Sequence, residues 1–392
     1  MKKILSLCLA LIMVFSATAA LAETVTLKVW GSQDDQAMLG EMIEAFKAAH
    51  SDKTYEITLG VVGEPDTKAR YLEDPAAAAD VFSFANDQLY DLVNAGALYE
   101  VTRNLDAIKA ANLAGSIEAA SVGDVLYAYP MTADNGYFLY YDKSVISEED
   151  VKTLDGILAA CEKAGKKFFM DVSNGWYIAS FFLGAGGKLG LDENGKQVCD
   201  FNNEKGVLAG EAIKALTAHS AFLTGDDAIL TGGMGDTIAV GVSGTWNATA
   251  IQDKLGDNYA ATKLPTFTLG AEQAQMGSFA GFKLLGVNTM SQFPADAMDL
   301  AEFLTNEENQ LIRFEKRAMG PSNINAAASE KVGENIALAA LAAQAAYATS
   351  QKDVLGGYWT PAEAFGTTME AKDYTKDVKT LLDEMVAQIS AQ

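Results

Sequence analysis

Four tryptophans are the largest recognition surfaces this chain carries, and all of them stand where regular structure breaks or begins. Trp30 closes the strand-like stretch 25–29 and precedes Gly31-Ser32. Trp176 follows Ser173-Asn174-Gly175, Trp246 follows Ser243-Gly244-Thr245, and Trp359 lies between Gly356-Gly357 and Thr360-Pro361. A structural tryptophan more often stands inside an alternating or helical apolar pattern. Wide flat rings at element ends suit a cleft, where they offer contact area at little entropic cost. Carboxylates occupy comparable places: Asp34-Asp35, Asp87 and Asp134 each follow a strand-like run near an aromatic residue. Open α/β sheets bind ligands at the carboxyl ends of their strands. Two such carboxylates could also cleave a glycosidic bond, but that depends on separation in space, which sequence leaves open. Helix capping is the plainer role for Asp34 and Asp87 and is compatible with ligand binding.

Other chemistries lack their residues. His50 and His219 stand at the ends of predicted helices and belong to no metal-spaced cluster, so cap or surface roles are expected and no metal or cofactor is. Gly184-Ala185-Gly186-Gly187-Lys188-Leu189 lacks the hydroxyl residue after lysine that a phosphate loop requires. Asp192-Glu193-Asn194-Gly195-Lys196 lacks the third oxygen ligand and closing Glu of a calcium loop, and reads as a hairpin turn between Leu189 and Val198. Gly241-Val242-Ser243-Gly244 has the wrong spacing for a nucleophile elbow.

The elements that must position the aromatic and acidic residues alternate between periods of 2 and 3.6, which signals an α/β fold. After the first strand, Leu39, Met42, Ile43 and Phe46 mark one face of a helix beginning near Asp34. Strands are expected over 55–62 and 80–84, with Asn86 and Asp87 capping a helix that Gly96 closes. Residues 126–129 and 137–141 read as strands around a polar interruption, 130–136, that could cross between lobes. Ser147 is a plausible cap for the next helix, followed by a strand over 167–172 and a helix over 176–183. Strands are expected over 238–242, 260–264 and 282–287, and mostly helix from Pro294 onward, broken at Gly320-Pro321 and Gly356-Gly357. The Ala-rich stretch 337–348 reads as packed helix.

Residues 1–22 carry Lys2 and Lys3, an apolar stretch from Ile4 to Phe15, and Ala20-Leu21-Ala22 ahead of Glu23. That is the pattern of a secretory signal with an Ala-x-Ala cleavage site, so a soluble, exported chain is expected, periplasmic or extracellular. Cys8 lies early and lacks a small residue before it, so a lipoprotein anchor is the weaker reading. Removing the segment leaves roughly 370 of 392 residues, enough for two lobes with separate cores. The formal charge of −23, from 52 acidic against 29 basic residues, falls further with the loss of the two lysines. Such a chain repels phosphate backbones, so nucleic acid is not an expected partner. Cys161 and Cys199 survive processing; one disulfide is possible, and two separate buried thiols are the preferred reading.

Taken together, these positions resemble the solute-binding proteins of sugar ABC importers, specifically the maltose/maltodextrin-binding family. The likeness covers nearly the whole mature chain and is carried by short matches in order. Leu27-Lys28-Val29-Trp30 with polar Gly31 to Asp35 resembles the family's first strand and loop. Asp80-Val81-Phe82-Ser83-Phe84-Ala85-Asn86-Asp87-Gln88 and Asn94-Ala95-Gly96-Ala97-Leu98 follow. Tyr127-Ala128-Tyr129-Pro130 with Tyr140-Tyr141-Asp142-Lys143 matches the crossover. Gly186-Gly187, Phe201-Asn202, Ser243-Gly244-Thr245-Trp246, Leu264-Pro265-Thr266-Phe267 and Tyr358-Trp359 complete the series.

The resemblance implies a two-lobed periplasmic-binding-protein fold, class II-like, with interleaved segments. Its lobes would be 23–131 with 282–317 and 135–278 with 320–392, hinged near 131–134, 276–282 and 317–321. It implies an oligosaccharide held between the lobes, delivery to ABC permease subunits, no catalysis and a monomeric chain. Carried over by position, Asp34 and Asp87 would accept hydroxyl hydrogen bonds, Phe84 would stack, and Asp134 or Asn135 would make a polar contact. Trp176, Trp246 and Trp359 would be stacking platforms, and Trp30 would pack beneath the cleft. Asp35 stands where maltodextrin binders usually have Lys, Gln88 where they have Arg, Asn174 where they have Glu, and Phe84 where they have Trp. A retained aromatic cradle with altered polar contacts implies a different sugar, linkage or chain length. A receptor for a non-sugar solute and a secreted glycoside-cleaving enzyme are the alternatives.

Overall fold

In the computed structural model, which describes residues 24–391, a six-stranded and a five-stranded sheet are built from interleaved parts of the chain. The expected signal segment lies outside the described residues. The strands are β1 (Thr24–Gly31), β2 (Thr54–Val61), β3 (Val81–Ala85), β4 (Tyr129–Gly136), β5 (Phe138–Asp142), β6 (Lys167–Phe169), β7 (Phe222–Leu223), β8 (Ile238–Ser243), β9 (Tyr259–Thr262), β10 (Ser278–Val287) and β11 (Ala348–Ser350). The first sheet runs β11-β10-β3-β1-β2, with β4 also against β10; the second runs β7-β6-β8-β5-β9. The architecture is two-lobed α/β.

The first sheet follows from buried strands joined by amphipathic helices. β1 pairs in parallel with β2 and β3. Helix α1 (Gln36–Ala49) returns the chain between β1 and β2 and buries Met38, Leu39, Met42, Ile43 and Phe46, the expected face. These side chains join Val25, Val29, Phe82, Leu284 and Leu300 in one core, each large apolar group contributing ~1.5–3 kcal/mol by leaving water. The second core gathers Leu139, Ile157, Phe181, Val240, Phe267, Phe365 and Leu382 around the other sheet. Helix α2 (Gly175–Gly184) lies within it and is apolar on nearly every side because it is covered on nearly every side.

Residues 130–136 are not an interruption. β4 is continuous through them, and all but Ala133 are buried. Its polar residues are enclosed against β10 and neighbouring segments, so the alternation expected of a half-exposed strand is missing. The chain changes sheet at Tyr137, between the end of β4 and the start of β5. A side chain at Gly136 would meet the Phe279 carbonyl at 3.2 Å and Leu341 Cδ1 at 2.8 Å, so the crossing strands approach closely there.

Ser147 Oγ accepts from Asp150 N–H at 3.1 Å in the turn before helix Leu154–Ala164, but that helix is capped by Thr153. The expected turn at 192–195 is present, with Asp192 Oδ1 accepting from the amides of Asn194 and Lys196. A hairpin of Thr266–Leu269 with Glu272–Gln275 was not foreseen, because its polar strands lack an apolar alternation. Cys161 and Cys199 are separate buried thiols, both pushed up to about 12 by burial. Among the described residues no helix is long and apolar enough to cross a membrane.

Candidate functional site

Loops at strand ends and the paired segments β4 and β10 bring side chains of both sheets together. From the second lobe come two rings. Trp176 opens α2, held by the Asn174 side chain, which accepts from Trp176 N–H at 2.9 Å as the helix cap. Trp246 follows β8 and donates its indole N–H to Asp227 Oδ2 at 2.9 Å. The two indoles lie 5.8 Å apart and tilted by 40°, both half-buried, and Tyr137 meets Trp176 edge-on at 4.5 Å. A side chain at Gly244 would collide with the Trp246 ring at 1.9 Å, so only glycine lets the ring fold back over this loop.

Facing these rings is a polar group centred on Gln351, just past β11 and 4% exposed. Gln351 Nε2 donates to Asp87 Oδ1 at 2.7 Å. Its Oε1 accepts from Trp176 Nε1 at 3.0 Å and Asn135 Nδ2 at 3.2 Å. One amide therefore ties the turn after β3, the crossing strand β4 and helix α2. Burial pushes the Asp87 carboxyl up to about 7, only partly opposed by the hydrogen bonds it accepts and by Lys68. Asp227 is likewise raised by burial, against the pull of Trp246 and neighbouring donors.

Asp134 is 1% exposed. Its Oδ2 accepts from Thr245 Oγ1 at 2.6 Å and from Gly320 N–H at 2.7 Å, joining β4 to the Trp246 loop and to the segment after helix α3 (Glu307–Arg317). Its Oδ1 is buried without a partner.

Several expected contacts take other roles. Phe84 is fully buried in the first core, tilted against Phe82 at 6.1 Å, and is not a platform. β3 is covered on both faces at the middle of the sheet, so the alternation that would aim Phe84 into a cleft instead aims it into packing. Gln88 is consumed by backbone: its Nε2 donates to the Glu64 and Pro65 carbonyls and its Oε1 accepts from Lys68 N–H. Asp34 and Asp35 cap nothing; both pair with Arg317 at the end of α3, at 3.2 and 3.1 Å. Asp87 and Asn86 do not cap the following helix either. Asn86 Oδ1 instead accepts from Phe282 N–H at 2.9 Å. Trp359 is half-buried against Tyr358 and Phe279, at 5.0 and 5.9 Å, and its carbonyl lies against Gly175 at the start of α2. Trp30 is buried in the first core near Phe82.

The structure thus assembles Asp87, Asp134, Asn135, Trp176 and Trp246, and adds Gln351, Asp227 and Lys283. Lys283 had a signal that could have been read: it is the lone charge in 282–287. Gln351 had none, because its role depends on three partners distant in sequence.

Comparison with known proteins bears on the family and the fold. Residues 41–340 match the family model described as bacterial extracellular solute-binding protein. The chain is 27% identical to a galactooligosaccharide-binding protein of Bacillus subtilis (strain 168), over 93% of this chain and 89% of that one. A structure solved with acarbose superposes with a TM-score of 0.86 at 30% identity, covering 94% of this chain and 99% of the other. A maltodextrin-binding protein from L. casei BL23, solved without ligand, superposes with a TM-score of 0.77 at 27% identity, over 94% and 99% of the two chains. By the extent of the family match and by its fold, the chain belongs to the bacterial extracellular solute-binding proteins.

Proposed function

We propose that this protein captures an oligosaccharide between its two lobes and presents it to the permease of an ABC importer. The observation that carries the reading is the pair of half-buried indoles, Trp176 and Trp246, facing the amide and carboxylate groups of Asp87, Asp134, Asn135 and Gln351. Indole faces suit the C–H faces of pyranose rings, and carboxylates and amides suit their rim hydroxyls. Relatives named for galactooligosaccharide and maltodextrin, and one solved with acarbose, support the same ligand class.

Ligand contacts shared between lobes stabilise the arrangement in which the lobes are closed on it, and the importer recognises that form. The lobes are taken as 23–131 with 282–317 and 135–278 with 320–392, hinged where β4 and β10 cross. The export signal of residues 1–22 fits the extracellular placement of the family. Asp34, Asp35, Gln88 and Asn174 act at second hand, holding loops and helix ends, while Trp359 flanks the cleft as a further platform.

Titrating the mature protein with a panel of gluco- and galacto-oligosaccharides while following tryptophan fluorescence tests the reading. A saturable response to at least one oligosaccharide, with no shortened products after incubation, is expected. Silence toward every sugar, with a response to peptides or polyamines, overturns it.

A further inference from the structure

We propose that Lys283 is a specificity-determining residue of the cleft, which together with Asp134 reads adjacent hydroxyls of the sugar unit held at Trp246. The inference rests on the reading of the chain as an oligosaccharide receptor. Lys283 lies on β10, the strand between β3 and β4, in register with Ala85 and Thr132. Its register with β4 is irregular on both sides, a local distortion that re-aims a side chain. The residue is 7% exposed, yet among the described residues its ammonium makes no ion pair and no hydrogen bond. Its one close partner is the Trp246 ring, with Nζ 5.6 Å from the centroid.

A buried lysine normally loses its proton or finds a carboxylate. Burial pulls this one in that direction, but the carboxylates of Glu64, Asp134 and Asp35 more than offset it, against Arg317, and hold the ammonium charged. The charge is therefore kept by a field rather than by a bond, and all its donor hydrogens remain available. Three more polar groups around the same crossing are buried without partners: Thr132 Oγ1, Asp134 Oδ1 and Asn86 Nδ2. Thr132 is the residue in register with Lys283, Asp134 lies two residues on across the irregular stretch of β4, and Asn86 is fixed by Phe282, the neighbour of Lys283.

A charged donor over an indole face, held in the field of a carboxylate that has one unpartnered oxygen, suits a vicinal diol on a pyranose ring. One hydroxyl accepts from Lys283 and its neighbour donates to Asp134. A site built this way rejects a ligand lacking the hydroxyl far more strongly than apolar stacking would, because its own buried groups then stay unpaired. The competing role for Lys283 is purely structural, balancing the carboxylates. That role would alter stability and leave the order of sugar preferences unchanged.

The test is calorimetric titration of the mature protein with an oligosaccharide it binds and with the monodeoxy analogues of that sugar, for wild type, Lys283→Met and Lys283→Gln. In the wild type, removing one or two particular hydroxyls should weaken binding ~10- to 100-fold. Both variants should bind the parent sugar weaker by a similar factor, and the same deoxy positions should then cost them less than about threefold. Deoxy penalties identical in wild type and variants, or parent affinity unchanged by either substitution, overturn the proposal. A wild type in which no single hydroxyl matters also overturns it, without need of a folded variant. Absence of any oligosaccharide binding by the wild type would remove the receptor reading itself, a distinct failure.

Discussion

Gln351 and Asp87 are joined by a 2.7 Å hydrogen bond between segments 264 residues apart in the chain, and the same amide accepts from Trp176 and Asn135. This one side chain therefore sets the indole orientation and satisfies a carboxylate in one place. Gln351→Ala leaves Trp176 Nε1, Asn135 and Asp87 without their partner. Oligosaccharide affinity should fall by ~1–3 kcal/mol, the range for buried polar groups left unpaired, as read by titration of intrinsic fluorescence.

Asp87 gives the protein a pH dependence of definite sign. Its folded-state carboxyl is raised from 3.8 to about 7, mainly by burial. Between about pH 4 and 7 the folded chain thus holds a proton that the unfolded chain has released, so this group's contribution to stability falls as pH rises through that window. Above about pH 8 it levels off. Asp87→Asn should flatten this part of the profile and be more stable than wild type at pH 8 by ~1–3 kcal/mol, with little difference at pH 4. Urea denaturation at the two pH values measures it.

Trp246 and Trp176 are predicted to carry ligand contact that Phe84 does not. Trp246→Ala and Trp176→Ala should each weaken sugar binding by ~1–3 kcal/mol. Phe84→Ala, by contrast, opens a cavity in the first core and should cost ~3–5 kcal/mol of stability. Parallel thermal melts and titrations separate the two effects. Equal loss of affinity from Trp246 and Trp176 substitutions without ligand-dependent fluorescence change would argue against direct stacking.

Cys161 and Cys199 should behave as inert thiols. Both are free and buried, with burial holding each thiol protonated. Reductant should leave the melting temperature unchanged, and a maleimide should label the native protein slowly while labelling both thiols quickly in denaturant. Rapid native labelling would show that either thiol is reached without unfolding.

The α/β class, most helix faces and the central strands were legible from pattern, because α1 and β1 bury periodic positions and β8 is a short continuous buried run. The likeness to a family was legible from short matches in order, and the tryptophans beside chain breaks pointed to the cleft. The roles within the cleft were less so. Asp34 read as a ligand contact or cap and Asp35 as a ligand contact, but both pair with Arg317; Gln88 read as a ligand contact but holds backbone. Phe84 read as a platform and is core.

Local patterning determined most of the helices and central strands and which rings stand at their ends, though not the polar strand β4 or the hairpin at 266–275. Tertiary structure alone decided what those ends face, because pairing β4 against β10 and passing the chain repeatedly between the two sheets places partners together that sequence keeps hundreds of residues apart. A side chain's hydrogen bonds depend on that placement to within an ångström. Gln351, silent in the sequence, becomes the amide that joins Asp87, Trp176 and Asn135, and Lys283, a lone charge in an apolar strand, becomes the ammonium above Trp246.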